Sequence, residues 1–291
     1  MMKKKATFFV GTFLAFFPCL FNGLSTEVPT QETIVLEKIP PRRPDSVTGS
    51  QFADKTSGLT GRERQEAAVR ELLSGNVPEF LRKLKPVSLT YEGAKGESVS
   101  ARIWVTPDYL AIGSDEDFLR IPLTYLSAVE VAKVFDCILP TRKMVDAVYR
   151  QSTCHLKPKP LPPGNQMRSS EYYARHQALI RTERQEEGCA LGELVSGHKK
   201  DVVISNRLNS KSGREAIYGW HRKSGEPIQP LSTIHGERYV DYSHGIRLIY
   251  RDVLINGTTR SILDVLQDPD LGPVLTYEGY ITRLLKMLRL K

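Results

Sequence analysis

Val87-Ser88-Leu89-Thr90-Tyr91 and Ala101-Arg102-Ile103-Trp104-Val105 alternate apolar and polar side chains almost residue by residue. Successive side chains of a strand point to opposite faces, so a period of two predicts two half-buried strands. Tyr109–Ile112 and Phe118–Ile121 continue the strand character on either side of the acidic turn Gly113-Ser114-Asp115-Glu116-Asp117. That turn lacks the ligand spacing and glycine of a calcium loop, and a solvated hairpin turn is expected. Strand signals return after Gly197, at Asp201–Ser205, Glu215–Trp220 and Arg247–Tyr250. Asn256-Gly257, between Val253-Leu254-Ile255 and Thr258, is the two-residue signature of a tight hairpin.

Helix signals lie between and beyond these strands. Thr60-Gly61-Arg62-Glu63 has capping-box spacing and predicts a helix to about Leu73, stopped by Gly75. Leu126, Ser127 and Glu130 repeat the cap and predict a helix over 128–136, and Pro140-Thr141 opens another over 142–151. A polar helix is expected over 169–187, a short one over 261–267, and Ile281–Lys291 reads as a basic amphipathic segment. Antiparallel strands with helices grouped around them make an α+β fold. The proline-rich stretch Lys157–Gly164 is a stiff connector. The folded region 60–291 is therefore expected as a single compact domain or as two closely packed lobes with a boundary at 156–165.

The N-terminus has a different character. Lys3-Lys4-Lys5, the apolar run Ala6–Phe21 and the small residues Gly23 and Ser25 form the layout of a secretory signal peptide, 1–25, cleaved near Ser25. Residues 26–59, with Pro40-Pro41-Arg42-Arg43-Pro44 and no apolar periodicity, read as a flexible tether. The expected location is secreted or periplasmic, with no transmembrane segment after cleavage. Such a compartment permits disulfides among Cys137, Cys154 and Cys189, although an odd count leaves at least one thiol unpaired. The formal charge is +8, and three of those positive charges lie in the signal. The remaining basic balance suits attraction to anionic wall polymers or lipid head groups, and is too diffuse for a nucleic-acid footprint.

Three of the six histidines fall between 221 and 244. Their surroundings are Tyr218-Gly219-Trp220-His221, Gln229-Pro230-Leu231-Ser232-Thr233-Ile234-His235-Gly236 and Tyr239-Val240-Asp241-Tyr242-Ser243-His244-Gly245-Ile246-Arg247. Imidazole titrates near neutral pH, so clustered histidines can divide acid, base and ligand roles. His221, His235, Asp241 and His244 are the candidate catalytic residues; Tyr218, Trp220, Gln229, Ser232, Tyr239, Tyr242 and Arg247 are candidates for binding. Three chemistries are open. The histidines and Asp241 could hold a zinc ion that activates water. A histidine oriented by Asp241 could act as base for Ser232, Ser243 or Cys137. The same side chains could instead form a polar groove for a sugar or peptide. Plain strand packing would also account for the aromatics. Gly197-His198-Lys199-Lys200-Asp201 reads as a charged strand start, and Thr141-Arg142-Lys143 as a surface helix end.

The wording of several runs goes beyond composition. Cys137–Asp146, Lys200–Ile204, Ala216–His221, Ile228–Ser232 and Tyr239–Gly245 together resemble a family of exported bacterial proteins with no assigned activity, over roughly Tyr109 to Gly279. The resemblance implies a bacterial source and export. Leu191-Gly192-Glu193-Leu194-Val195, followed by His198 and a strand, is similar to papain-like wall amidases, but Cys137 lacks their Asp-Cys-Ser-Gly helix opening. The expected function is an extracytoplasmic hydrolase of a cell-wall or polysaccharide-type substrate. The alternative is a non-catalytic ligand-binding or envelope-interaction protein using the same face.

Overall fold

The two alternating segments pair with each other. In the computed structural model, which describes residues 33–93 and 96–290, β1 (Lys85–Glu92) runs antiparallel to β2 (Ser98–Val105), from Lys85↔Val105 to Glu92↔Ser98. Val87 and Leu89 are buried while Ser88 and Thr90 are exposed, as the period of two requires. β2 also joins β13 (Asp252–Ile255) and β12 (Ile249–Tyr250), giving a six-stranded sheet of order β14-β13-β2-β12-β5 with β1 on β2. Here β5 is Cys137–Ile138 and β14 is Thr258–Ser261. The β13–β14 turn is Asn256-Gly257, with φ of 48° and 81°. Both residues are left-handed, the geometry for which Asn-Gly is favoured.

A second, four-stranded sheet has the order β10-β9-β8-β11: Pro227–Ser232, Ile217–His221, Lys200–Val202 and His244–Gly245. Two short ladders complete the strands. The acidic turn joins β3 (Ala111–Gly113) to β4 (Phe118–Arg120), and β6 (Cys154–His155) runs parallel to β7 (Val195–Ser196).

The helices α2 (Gly61–Leu73), α4 (Arg142–Gln151), α5 (Ser170–Glu186) and α6 (Ile262–Gln267) lie where the sequence places them. The Thr60 hydroxyl caps α2, and the Glu63 side chain accepts from the Thr60 N–H. α3 (Tyr125–Val134) begins earlier than expected, because Thr124 rather than Ser127 accepts the capping hydrogen bond. This earlier start places Tyr125 and Ala128 in the core. α7 (Gly272–Leu275) is a single turn. In the C-terminal segment only α8 (Leu284–Met287) is helical; Ile281, Leu284, Met287 and Leu288 are buried, and Arg283, Lys286 and Arg289 face out.

The expected tether is corrected over residues 33–59. Leu36, Ile39, Phe52 and Ala53 belong to the main core, and α1 (Gly49–Lys55) carries a capping box on Thr48. Arg82 donates to the carbonyls of Ile39, Pro40 and Gly75. Gly75 has φ +87°, and a Cβ there would lie 2.1 Å from the Pro40 oxygen, so only glycine lets the proline run lie against the end of α2. The segment escaped detection because Leu36 and Ile39 sit on irregular backbone and α1 is only seven residues long, too short for its two buried side chains, Phe52 and Ala53, to set up a repeating period. We predict that Ile39→Val costs about 1 kcal/mol in a denaturant titration, as for a core methyl group; a tether residue would give no change.

The signal-peptide reading of 1–25, and the first part of the expected tether, lie outside the described residues. From Thr33 onward the chain forms one compact unit, and Lys157–Gly164 crosses it, with Leu161 buried and its N–H bonded to the Tyr242 hydroxyl at 2.7 Å. Among the described residues no helix is long and apolar enough to cross a membrane. Cys154 and Cys189 form a disulfide, and among the described residues Cys137 is the one free thiol. Cys137 is buried, and burial pushes its pKa well above the usual thiol value. It is therefore unsuited to act as a nucleophile at neutral pH.

Candidate functional site

The histidine-rich stretch folds around the four-stranded sheet, and the sheet divides it. Gly219 of β9 and His244 of β11 both pair with Lys200 of β8 between them. Two strand spacings separate β9 from β11, about 10 Å, and His221 lies two residues further along β9. His221 therefore does not share a site with His244, and the two build separate clusters.

In the first cluster, His221 Nε2 lies 3.4 Å from Asp146 Oδ1, on α4. The Tyr218 hydroxyl donates to the same oxygen at 2.8 Å. The imidazole stacks on the Tyr149 ring with centroids 4.5 Å apart. Asp201 of β8 is a neighbour that makes no hydrogen bond or ion pair with His221: a Cβ built on Gly219 would lie 3.4 Å from Asp201 Oδ2 and equally close to the His221 ring. The absence of a side chain at Gly219 leaves that space open. Asp201 also accepts from the Tyr109 hydroxyl at 2.8 Å.

The two carboxylates beside His221 are driven apart electrostatically. Burial would raise Asp146, but hydrogen bonds from His221, Tyr218 and Tyr277 outweigh it and hold the group below its ordinary value. Burial dominates at Asp201 and, only partly offset by Arg247, raises its pKa to about 6. The Asp146 side chain is 17 % exposed and is the more accessible member of the pair, the His221 side chain being 4 % exposed. Trp220, immediately before His221, has φ +56°, an unfavourable conformation for a bulky residue. Backbone strain of this kind tends to collect at functional sites.

The second cluster is a buried ion triad. His244 Nε2 lies 3.0 Å from Glu215 Oε1, and Nδ1 lies 3.3 Å from Asp241 Oδ1. Asp241 also accepts from the Ser243 N–H at 2.8 Å, the Ser243 hydroxyl at 2.5 Å and the Tyr239 hydroxyl at 3.1 Å. Burial would lower the His244 pKa, but Glu215 and Asp241 overcome it and raise the value to about 9. His244 is therefore a locked cation at neutral pH and has no free lone pair to act as a base. His235 stacks on Tyr239 at 4.0 Å, and burial lowers its pKa. His235 and His244 both lie against Tyr239, and Glu215 and Asp241 bond His244, so these side chains form one cluster.

The remaining candidates divide by depth. Trp220 is buried and lies under Lys200, whose Nζ is 4.9 Å from the ring centroid. Gln229 and Ser232 lie on the outer strand β10; the Gln229 amide donates to the Pro230 carbonyl, and the Ser232 hydroxyl accepts from Ile234 N–H. Tyr242 and Arg247, expected at a ligand, are interior struts instead. Tyr242 bonds Leu161, and Arg247 donates to the carbonyls of Thr106 and Val195 at 2.6 Å each. Asp146, Asp201 and Glu215 were missed. Each is an isolated acid far in sequence from its histidine, and only the folded sheet reveals the pairing. His198 and Lys199, read as part of a charged strand start, are buried.

Among the described residues no three His, Cys, Asp or Glu side chains are grouped as ligands for a metal ion. The zinc arrangement of His221, His235 and His244 therefore lacks the required convergence. No protein family, curated protein or solved structure matches the chain.

Proposed function

We propose that the protein is an extracytoplasmic hydrolase of a cell-wall or polysaccharide-type substrate, and that its proton transfer runs through His221. The supporting observation is the contact of the His221 imidazole with the partly exposed Asp146 carboxylate, with a second carboxylate of raised pKa, Asp201, nearby, a pattern suited to acid–base work. In this reading His221 takes a proton from water as the oxygen attacks the substrate, then returns it to the leaving group. Asp146 orients the ring from the open side. Asp201 stabilises the imidazolium from behind once it is ionised. Tyr218 fixes the Asp146 carboxylate. The export reading behind the substrate class is supported by the Cys154–Cys189 disulfide.

The test is release of reducing ends or free amines from peptidoglycan and simple polysaccharides by the purified protein. His221→Ala is expected to reduce turnover about a hundredfold with a native far-UV spectrum, in line with loss of a general base. The rate should rise as pH increases through about 6, where Asp201 ionises. Asp201→Asn should remove that rise. Turnover unaffected by His221→Ala would overturn the assignment. The second reading, a binding module, is favoured by the partly exposed His235–Tyr239 stack. It predicts equal substrate binding and no turnover in wild type and variant.

A further inference from the structure

A groove of about 1160 Å³ runs between α2, α3 and the C-terminal segment, away from His221. Its cationic lining is Arg62, Arg70, Lys133, Arg168, Arg238 and Arg289, against two acids, Glu66 and Glu130. Arg62 pairs with Glu66 and Arg289 with Glu237. The other four cations make no ion pair among the described residues, and all four are exposed. A smaller depression of about 140 Å³ shares Arg289 and extends the basic lining through Lys211, Arg214, Arg283 and Lys286. The second depression holds one acid, Glu237, which pairs Arg289 where the two depressions meet, and cations, mostly arginines, outnumber acids in both.

Unpaired cations side by side repel one another, and an anion lying along them relieves that repulsion. Guanidinium groups present forked donors that match the paired oxygens of a phosphate better than a lysine point charge does. The groove is concave, which suits an extended chain lying within it; a bilayer surface would meet it only at its rims. At one end, the Arg168 guanidinium lies 5.8 Å over the Tyr239 ring, which stacks on His235. An occupant of the groove would thus border the second histidine cluster.

We propose that this groove, whose lining has among the described residues no aromatic ring on which a base could stack, binds a linear anionic polymer of phosphodiester-linked polyol repeats. Binding depends on the groove cations and is independent of the hydrolase reading, so His221→Ala should leave it unchanged. The probe is fluorescently labelled poly(glycerol phosphate), followed by anisotropy with the full protein. Affinity should fall steeply between about 50 and 300 mM salt, as for any polyanion held by several cations. The triple variant Arg70→Glu, Lys133→Glu, Arg238→Glu should bind at least about tenfold more weakly. A control triple with the same charge change at exposed sites outside the groove lining, Lys38→Glu, Lys55→Glu and Arg260→Glu, should lose far less. The proposal is overturned by absence of binding at low salt or by equal losses in the two triples. It is also overturned by a preference of the same residues for a polyuronate, anionic phosphatidylglycerol vesicles or single-stranded DNA.

Discussion

Replacement of Asp108 by alanine is expected to lower the unfolding free energy by about 3–5 kcal/mol, because it strands a buried charge. Asp108 is 1 % exposed, and Arg120 binds it through two hydrogen bonds, at 3.0 and 2.6 Å. His198 Nε2 lies 3.3 Å away, and the Tyr109 N–H donates to the same carboxylate at 2.7 Å. Burial alone would raise the Asp108 pKa; Arg120 and His198 outweigh it and hold the carboxyl well below the usual range. Burial lowers His198 to about 4, so its ring is neutral at physiological pH. The counter-charge is therefore chiefly Arg120, itself 2 % exposed, with Arg184 Nη1 at 3.8 Å as a more distant second partner. The companion double variant, Asp108→Leu with Arg120→Met, removes both charges and fills similar volume. It should recover most of the loss, since a buried pair exchanged for apolar groups is often near neutral. Urea titrations of the three proteins decide the matter. A single-variant loss below about 1 kcal/mol, or a double variant as damaged as the single, would show that the cluster is not held by this pair.

The same buried charges mark the limit of what the sequence reveals. Periodicity located β1, β2 and the Asn256-Gly257 hairpin because those elements are half-exposed, and half-exposure is what creates a pattern. The caps on α2 and α4 were legible because Thr60 and Thr141 act on bonds three residues away. The reading of His198 and Lys199 as a charged strand start left their depth open, because a charged pair before a strand carries no local sign of it. Their partners come from elsewhere in the chain: Asp108 from the loop before β3, and the Tyr242 carbonyl, which accepts from Lys199 Nζ at 2.6 Å, from the turn before β11. The site shows the same division. Clustered residue types pointed to 218–247, but could not separate His221 from His244, because a sheet placed another strand between them. Nor could they supply Asp146 or Asp201, which reach His221 only through α4 and β8.

His244 offers a direct measurement of such a partnership, through the pH dependence of stability. Its folded pKa of about 9 exceeds the ordinary value of 6.5, so the folded state holds the proton more tightly. The resulting stabilisation is fully present below about pH 6.5 and is lost as pH rises through about 9; it amounts to about 3 kcal/mol. Lys199 has the opposite sign. Burial, reinforced by nearby Arg120, lowers its pKa from 10.5 to about 7. Between those values the unfolded chain binds more protons, so this group makes stability rise with pH. Over pH 7–9 the two slopes nearly cancel, and the wild-type profile should be almost flat. His244→Gln removes the falling component and should give stability that rises with pH, while Lys199→Met removes the rising one and should give stability that falls. Glu215→Gln leaves Asp241 as the only carboxylate on His244 and should shift the variant toward the His244→Gln profile. Chemical denaturation at pH 7, 8 and 9 measures each slope. Parallel profiles for wild type and His244→Gln would mean that His244 does not carry a shifted proton, and that the Glu215–His244–Asp241 triad is not the charged lock its geometry implies.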